Sequence, residues 1–223
     1  MKVVGISGWK RSGKDTVGSF LINMGYQKLS FADELKMQVS ERFDIPLEWM
    51  NNQDMKELPI YNLPMQSSDD SSLLVLRCFA AEGATGDGKK KTTSEDSITF
   101  DNQGCALLNG EQLYWTCRAL MIMQGTTSRS VDCNYWVDTV LKKVDLECDE
   151  LFFISDLRYK SEASRLKEAF GSNFISVRVN RFEDSASLDA SERDLDDYSF
   201  DYVIENKGSL QDLEQHVFNL FGV

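Results

Sequence analysis

Gly8, Gly13 and Lys14 stand at the spacing G-x-x-x-x-G-K within "GISGWKRSGKDTV". Glycines at both ends let a short backbone curl, so that successive N–H groups turn inward on an anion, and a lysine directly after the second glycine reaches the far phosphates of a polyphosphate. Gly8, Lys10, Arg11, Ser12, Gly13, Lys14, Asp15 and Thr16 are therefore the candidate residues for holding a nucleotide tail. Asp15 occupies the place where a hydroxyl residue usually helps to hold Mg²⁺, and Thr16 follows one position later. The chain also carries a decoy: Gly83-Ala84-Thr85-Gly86-Asp87-Gly88-Lys89 has the same spacing, but "KKTT" does not open an amphipathic helix. Context, not spacing, selects the first copy.

A second chemical anchor is Asp156, directly after the apolar run "LFFIS". A carboxylate at the tip of a buried strand can hold Mg²⁺ or its water, and a helix-capping aspartate is the other reading. Two residues on, Arg158 offers a planar fork to a phosphate or forms a surface ion pair. Lys14, Asp156 and Arg158 are the candidate catalytic groups. His216, the single histidine, sits on a helix-patterned C-terminal stretch, so imidazole catalysis has little material here.

The elements that must position these groups are legible in the hydrophobic pattern. Residues 2–7 read as a short buried strand, and Val17, Phe20, Leu21 and Met24 follow at helical spacing until Gly25. A second helix starts at Ser30, whose spacing to Asp33 suits a capping box, and ends before Pro46. "SITFDNQGCALL" predicts a hairpin turning at residues 101–104. Leu113, Cys117, Leu120 and Met121 predict a helix ending near Gly125, and the pattern from Cys133 to Val144 predicts another. After "LFFIS" come a short helix through Ala163, Leu166 and Phe170, the strand "FISVRV", the strand "DYVIE" and a helix from Ser209. Strand and helix alternate at both ends, which predicts an α/β fold with a parallel sheet. Residues 64–97 read as a mobile polar insertion, and the acidic stretch 184–197 reads as a water-excluding lid or as a solvated loop.

Composition narrows the partners. The 223 residues carry 36 acidic and 24 basic side chains, a formal charge of −12 that disfavours polynucleotides and anionic membranes. Five scattered cysteines without a CxxC pair argue against a disulfide framework or a zinc site, and no apolar run is long enough to span a bilayer. A reducing cytoplasm is the expected location.

With these pieces placed, the chain resembles the deoxynucleoside monophosphate kinases of tailed bacteriophages, including the T-even type. The resemblance rests on "GWKRSGKDT", "FADELK", "RALMIMQGT", "YWV", "DLRYKSEA" and "VIENKGSLQDL", which occur in the expected order, and no recognisable block falls in roughly residues 45–110. It implies a P-loop NTPase-type three-layer sandwich built as one domain, with residues 45–110 as a substrate-side insertion and 181–199 as the lid region. It implies transfer of the γ-phosphoryl group of ATP to a deoxynucleoside 5′-monophosphate, supplying precursors for DNA synthesis, with Mg²⁺ as cofactor held through Thr16 and Asp156, and a homodimer. Among the site residues, it assigns Arg118, Arg129 and Arg158 to the acceptor or the transferring phosphate, with Arg129 also catalytic. It assigns Asp33, Lys36, Gln124, Gly125, Thr126 and Trp136 to the acceptor nucleotide, and Asn206 to the border of adenine. A core role is the competing reading for Trp136. A P-loop kinase for a non-nucleotide acceptor, such as dephospho-coenzyme A or phosphomevalonate, and a non-catalytic nucleotide-binding module are the alternative functions.

Overall fold

The structure, a computed structural model, describes residues 1–66, 84–85, 98–144, 150–181 and 193–222. Most of the expected 64–97 insertion and of the acidic stretch lies outside the described residues. The chain divides into two compact units, one of residues 1–34 with 132–223 and one of residues 35–131. The second unit is therefore wider than the insertion expected at 45–110.

The first unit is built on a sheet of five parallel strands. Strands β1 (Lys2–Ser7), β2 (Gln27–Leu29), β7 (Leu151–Ile154), β8 (Phe174–Asn180) and β9 (Tyr202–Glu205) run in the order β2-β7-β1-β8-β9. Residues Val3, Val4 and Ile6 of β1 are fully buried, as continuous apolar strands of a two-sided parallel sheet must be. Val4, Ile6, Phe153, Val177, Val179 and Ile204 form one core with Val17 and Leu21 of helix α1 (Lys14–Asn23) and with Leu213, Val217 and Phe221 of the C-terminal helix Leu210–Phe221. The alternate positions Val3, Phe152, Ile154 and Phe174 are buried on the opposite face. The helix Lys160–Phe170 packs against β8 and buries Ala163, Leu166 and Phe170, which the apolar spacing anticipates.

The order of strands places the chemistry. From β1 the chain moves toward β2, whereas from β8 it moves the opposite way to β9. Neighbouring strands whose connections diverge leave a crevice at their carboxyl ends, and ligands of open α/β sheets bind there. The loop after β1 opens into that crevice.

Helix α2 (Phe31–Phe43) leads from the first unit into the second, where α3 (Leu47–Asn51), β3 (Ala84–Thr85), β4 (Ile98–Phe100), β5 (Ala106–Leu108), β6 (Glu111–Tyr114) and α4 (Cys117–Val131) follow. The four strands form an antiparallel sheet in the order β3-β6-β5-β4. The predicted hairpin is present: Asp101 Oδ1 accepts the N–H groups of Gln103 (2.8 Å) and Cys105 (2.9 Å), closing the turn between β4 and β5. The helix expected from Leu113 to Gly125 differs at both ends. Leu113 belongs to β6, because Asn109 and Gly110 both take positive φ and make the tight turn that joins β5 to β6. At the other end α4 continues past Gly125 to Val131. Of the decoy glycine loop, Ala84 and Thr85 form β3 against β6, an extended pairing where a phosphate cradle would need a curl; the remainder lies outside the described residues.

The first unit is completed by α5 (Tyr135–Leu141), α6 (Lys160–Phe170) and α7 (Leu210–Phe221). Helix α7 starts on Ser209, whose hydroxyl accepts the Asp212 N–H at 3.2 Å while the Asp212 carboxylate accepts the Ser209 N–H at 2.8 Å. Among the described residues, no helix is long and apolar enough to cross a membrane.

Candidate active site

Between β1 and α1 the backbone makes the curl that the glycine spacing anticipates. Gly8 has φ 151°, Gly13 has φ 105°, and Arg11 adopts φ 67°, a left-handed conformation uncommon for a side-chain-bearing residue. A Cβ on Gly8 would lie 2.4 Å from the Val179 carbonyl oxygen and 2.7 Å from Ser12 Oγ. Asn206, buried behind the loop, donates from Nδ2 to the Ser12 carbonyl at 2.8 Å, and its own N–H donates to the Asn180 carbonyl at 2.7 Å. The amide expected at an adenine border thus braces the cradle from below.

The interior of the loop suits an anion. Val17 is the first residue of α1 whose N–H reaches back to the Gly13 carbonyl (3.0 Å), so the N–H groups ahead of it form the positive end of the helix. Lys14 Nζ donates to the carbonyls of Gly8 and, at 2.9 Å, of Trp9. Ser12 Oγ is buried, 4% exposed, and has no hydrogen-bond partner among the described residues. A buried hydroxyl without a partner is costly, and a phosphate oxygen is the kind of group that satisfies it. The residues therefore fit a polyphosphate. Thr16 lies in the first turn of α1, partly buried, while Lys10, Arg11 and Asp15 are exposed.

Asp156 follows β7 and turns toward the start of α2. Its Oδ1 accepts the Phe31 N–H at 3.1 Å, and its Oδ2 accepts the Ala32 N–H at 2.7 Å and the Ser30 hydroxyl at 3.2 Å. Ser30 Oγ in turn accepts the Asp33 N–H at 3.2 Å, one arm of the expected capping box, and Asp33 Oδ2 lies 3.2 Å from Lys28 Nζ. Burial pushes the Asp156 carboxyl up, while the Ala32 and Phe31 N–H groups, the Ser30 hydroxyl and the Arg158 charge oppose that rise. The capping role of Asp156 is the one its geometry describes. Asp156→Ala is expected to cost about 2 kcal/mol of stability, because two helix-end N–H groups lose their acceptor. Urea denaturation checks this, and a variant as stable as the parent would leave only a ligand-facing role.

Arg158 is exposed on the turn after Asp156. That turn is fixed by the Leu157 N–H bonding the Ile6 carbonyl (3.1 Å) and by Glu162, 2% exposed, whose Oε2 accepts the N–H groups of Arg158 (2.9 Å) and Tyr159 (3.0 Å). Lys14, Asp156 and Arg158 thus all follow strands that are direct neighbours in the sheet. Trp136, by contrast, is 1% exposed on α5 and packs edge-on against Tyr135 at 4.9 Å. Its ring is enclosed on all sides, as the competing core reading expects.

Residues 35–131 hold the other expected acceptor residues. Arg118, Gln124, Gly125, Thr126 and Arg129 all lie on α4. Arg118 pairs with Glu57, Arg42 Nη1 donates to Gln124 Oε1 at 2.6 Å, and Lys36 Nζ donates to Asn51 Oδ1 at 2.9 Å. Gln124 Nε2 is 3.3 Å from Ser128 Oγ, which together with Arg42 fixes which end of the amide points where. Gly125 is buried where a Cβ would meet Leu35 of α2 at 3.4 Å, and the Arg129 guanidinium reaches the Gly125 carbonyl at 3.4 Å. Thr126 is exposed.

Hydrophobic patterning passes over Arg178. It lies on β8 beside the phosphate loop, 7% exposed, with Nη2 2.8 Å from Asp196 Oδ1 and Nη1 3.3 Å from Ser7 Oγ. The signal that could have found it is chemical: a lone charge in a largely buried strand requires a partner.

A parallel α/β sheet with a glycine-lysine loop after its first strand is an architecture suited to binding phosphate groups. The chain belongs to the deoxynucleotide monophosphate kinase family, whose model matches residues 2–217, from β1 into α7. Among solved structures it is similar to TT1252 from Thermus thermophilus, at 16% identity over 98% of this chain and 95% of that one, with a TM-score of 0.42. The protein is accordingly a kinase that acts on deoxynucleoside monophosphates.

Proposed function

We propose that the donor is ATP, seated with its phosphates in the loop from Gly8 to Thr16, and that its terminal phosphoryl group passes to the 5′-phosphate of the deoxynucleoside monophosphate. The observation that carries this reading is the buried Ser12 hydroxyl, without a hydrogen-bond partner among the described residues, inside a loop whose Gly8 has no room for a side chain. Lys14 donates to the carbonyls of Gly8 and Trp9, and phosphate oxygens offer it stronger, charged acceptors. Phosphoryl transfer asks the protein to align two anions and neutralise them, which lysine, arginine and inward N–H groups do without covalent chemistry.

Bound Mg²⁺ would supply charge neutralisation at the phosphates of ATP. Thr16, at the start of α1, would offer its hydroxyl to the ion. Asp156, whose oxygens already accept from Ser30, Phe31 and Ala32, would be the carboxylate that helps to hold the ion. Arg158 serves the transferring group from the first unit. Arg118, Arg129, Gln124 and Thr126 on α4 recognise the acceptor.

The test is release of ADP from Mg–ATP across the four deoxynucleoside monophosphates, dephospho-coenzyme A and phosphomevalonate. Turnover that depends on a deoxynucleoside monophosphate is expected. Turnover only with a non-nucleotide acceptor, or tight ATP binding with no phosphorylated product, would replace this reading with one of the two alternatives.

A further inference from the structure

Arg178 occupies a position that has to be compensated. A guanidinium on a strand with both faces buried loses its water, and such a charge is retained only with partners arranged around it. Those partners are specific. Nη2 bonds Asp196 Oδ1 at 2.8 Å, Nη1 reaches Ser7 Oγ at 3.3 Å, and the planar group lies 5.6 Å from the Trp9 ring centre and 5.7 Å from that of Phe200.

The same Asp196 oxygen accepts the indole N–H of Trp9 at 3.1 Å. Trp9 is the residue that follows Gly8 in the phosphate loop, and its carbonyl accepts from both Lys14 Nζ (2.9 Å) and the Ser12 N–H (3.1 Å). A continuous set of contacts therefore runs from β8 and the 193–199 segment, through the Trp9 ring, to the backbone that curls around the anion. Leu195, 1% exposed, and Asp194, which accepts the Lys160 N–H at 2.6 Å, anchor that segment to the first unit.

We propose that Arg178 and Asp196 are positioning residues for the phosphate loop, holding Trp9 so that the loop is shaped for a nucleoside triphosphate's tail before the tail arrives. Arg178 acts on the loop through Asp196, which Arg193 also reaches at 3.7 Å, and through the face of Trp9. A lysine at 178 would keep the charge but lose the second arm and the flat face against Trp9. This inference rests on the reading that the loop binds ATP.

The experiment uses the full chain, with Arg178→Lys and the double variant Arg178→Met/Asp196→Leu, which removes both members of the pair and leaves only the largely exposed Arg193 without this carboxylate. Steady-state KM values for ATP and for the deoxynucleoside monophosphate are measured with thermal melts. Tryptophan fluorescence is titrated with Mg–ATP in the parent and in Trp9→Phe. The KM for ATP should rise by about 10- to 100-fold in the double variant, with Arg178→Lys between it and the parent, while the acceptor's KM moves by less than about twofold. The ATP-induced fluorescence change should disappear in Trp9→Phe.

An unchanged KM for ATP in the folded double variant overturns the proposal, as do both KM values rising together in step with a lowered melting temperature. If the double variant does not fold, Arg178→Lys carries the same comparison: a selective rise in the KM for ATP supports the proposal, and an unchanged value overturns it. Should the parent chain itself fail to bind ATP, the donor assignment falls, and that result is visible in the parent before any variant is compared.

Discussion

Lys14→Ala is expected to melt close to the parent and to transfer phosphoryl groups about 10²- to 10³-fold more slowly, a loss of roughly 3–4 kcal/mol of transition-state stabilisation. The small effect on folding follows from what Lys14 does without a ligand. Its ammonium bonds the Gly8 and Trp9 carbonyls at a partly buried site, where water can take over, so the change is within about 1 kcal/mol. The large effect on turnover follows from charge. The transferring group spreads negative charge over its oxygens, and no other lysine or arginine immediately follows the loop's second glycine. ADP release at saturating ATP, measured beside a melting curve, separates the two effects. A folded Lys14→Ala enzyme within about tenfold of the parent would sink the donor-site assignment.

The loop is legible in the sequence because its chemistry is local: glycine spacing, a preceding apolar run and a following helix pattern all lie within 25 residues of the N-terminus. The decoy at Gly83–Lys89 makes clear what that legibility depends on, since the same spacing there contributes Ala84 and Thr85 to an antiparallel strand. Site features made by distant residues are less legible. Resemblance places Asn206 at the site, yet its bond to the Ser12 carbonyl joins positions 194 residues apart. Asp156 looks like a metal-side carboxylate at the tip of its strand, but the helix end that it caps belongs to α2, 124 residues earlier. Arg178 vanishes into "FISVRV", because periodicity treats one charge among apolar residues as noise. Its partner is hidden in an acidic run whose members have separate duties: Asp194 on a helix end, Asp196 on Trp9 and Arg178, and Asp197 on Lys160.

The same division runs through the fold. The long apolar strands β1, β7 and β8 announce a parallel sheet, whereas β2, three residues with two of them exposed, carries no hydrophobic signal and is made by pairing with β7. The turn at Asn109-Gly110 does carry a strong hairpin signal. A helical spacing that borrows Leu113 masks it, although that residue's complete burial comes from the core it shares with Met65, Ala106 and Leu108. Gly125 resembles a helix stop because glycine commonly ends helices. Here it serves close packing instead, inside a helix that runs on to Val131 beside Leu35.

Gly8→Ala is expected to be the more damaging of two alanine substitutions in the loop, with about 2–4 kcal/mol lost from stability and ATP affinity reduced by about 100-fold or more. The new Cβ would stand 2.4 Å from the Val179 carbonyl oxygen. That oxygen belongs to the backbone of β8, which is paired to β1 and β9 on its two sides, so it cannot retreat without breaking the ladder. The loop must move instead, and its inward N–H groups move with it. Gly13→Ala meets a softer obstacle: its Cβ would lie 2.5 Å from Asn206 Nδ2, the end of a side chain that can rotate away. Rotation breaks the Asn206 bond to Ser12 and alanine strains at φ 105°, which together cost about 1–3 kcal/mol but leave the curl in place. Titration calorimetry with Mg–ATP and urea denaturation of both variants give the order. If Gly8→Ala binds ATP like the parent, or Gly13→Ala proves the worse of the two, the polyphosphate does not sit against Gly8 and the cradle is not its seat.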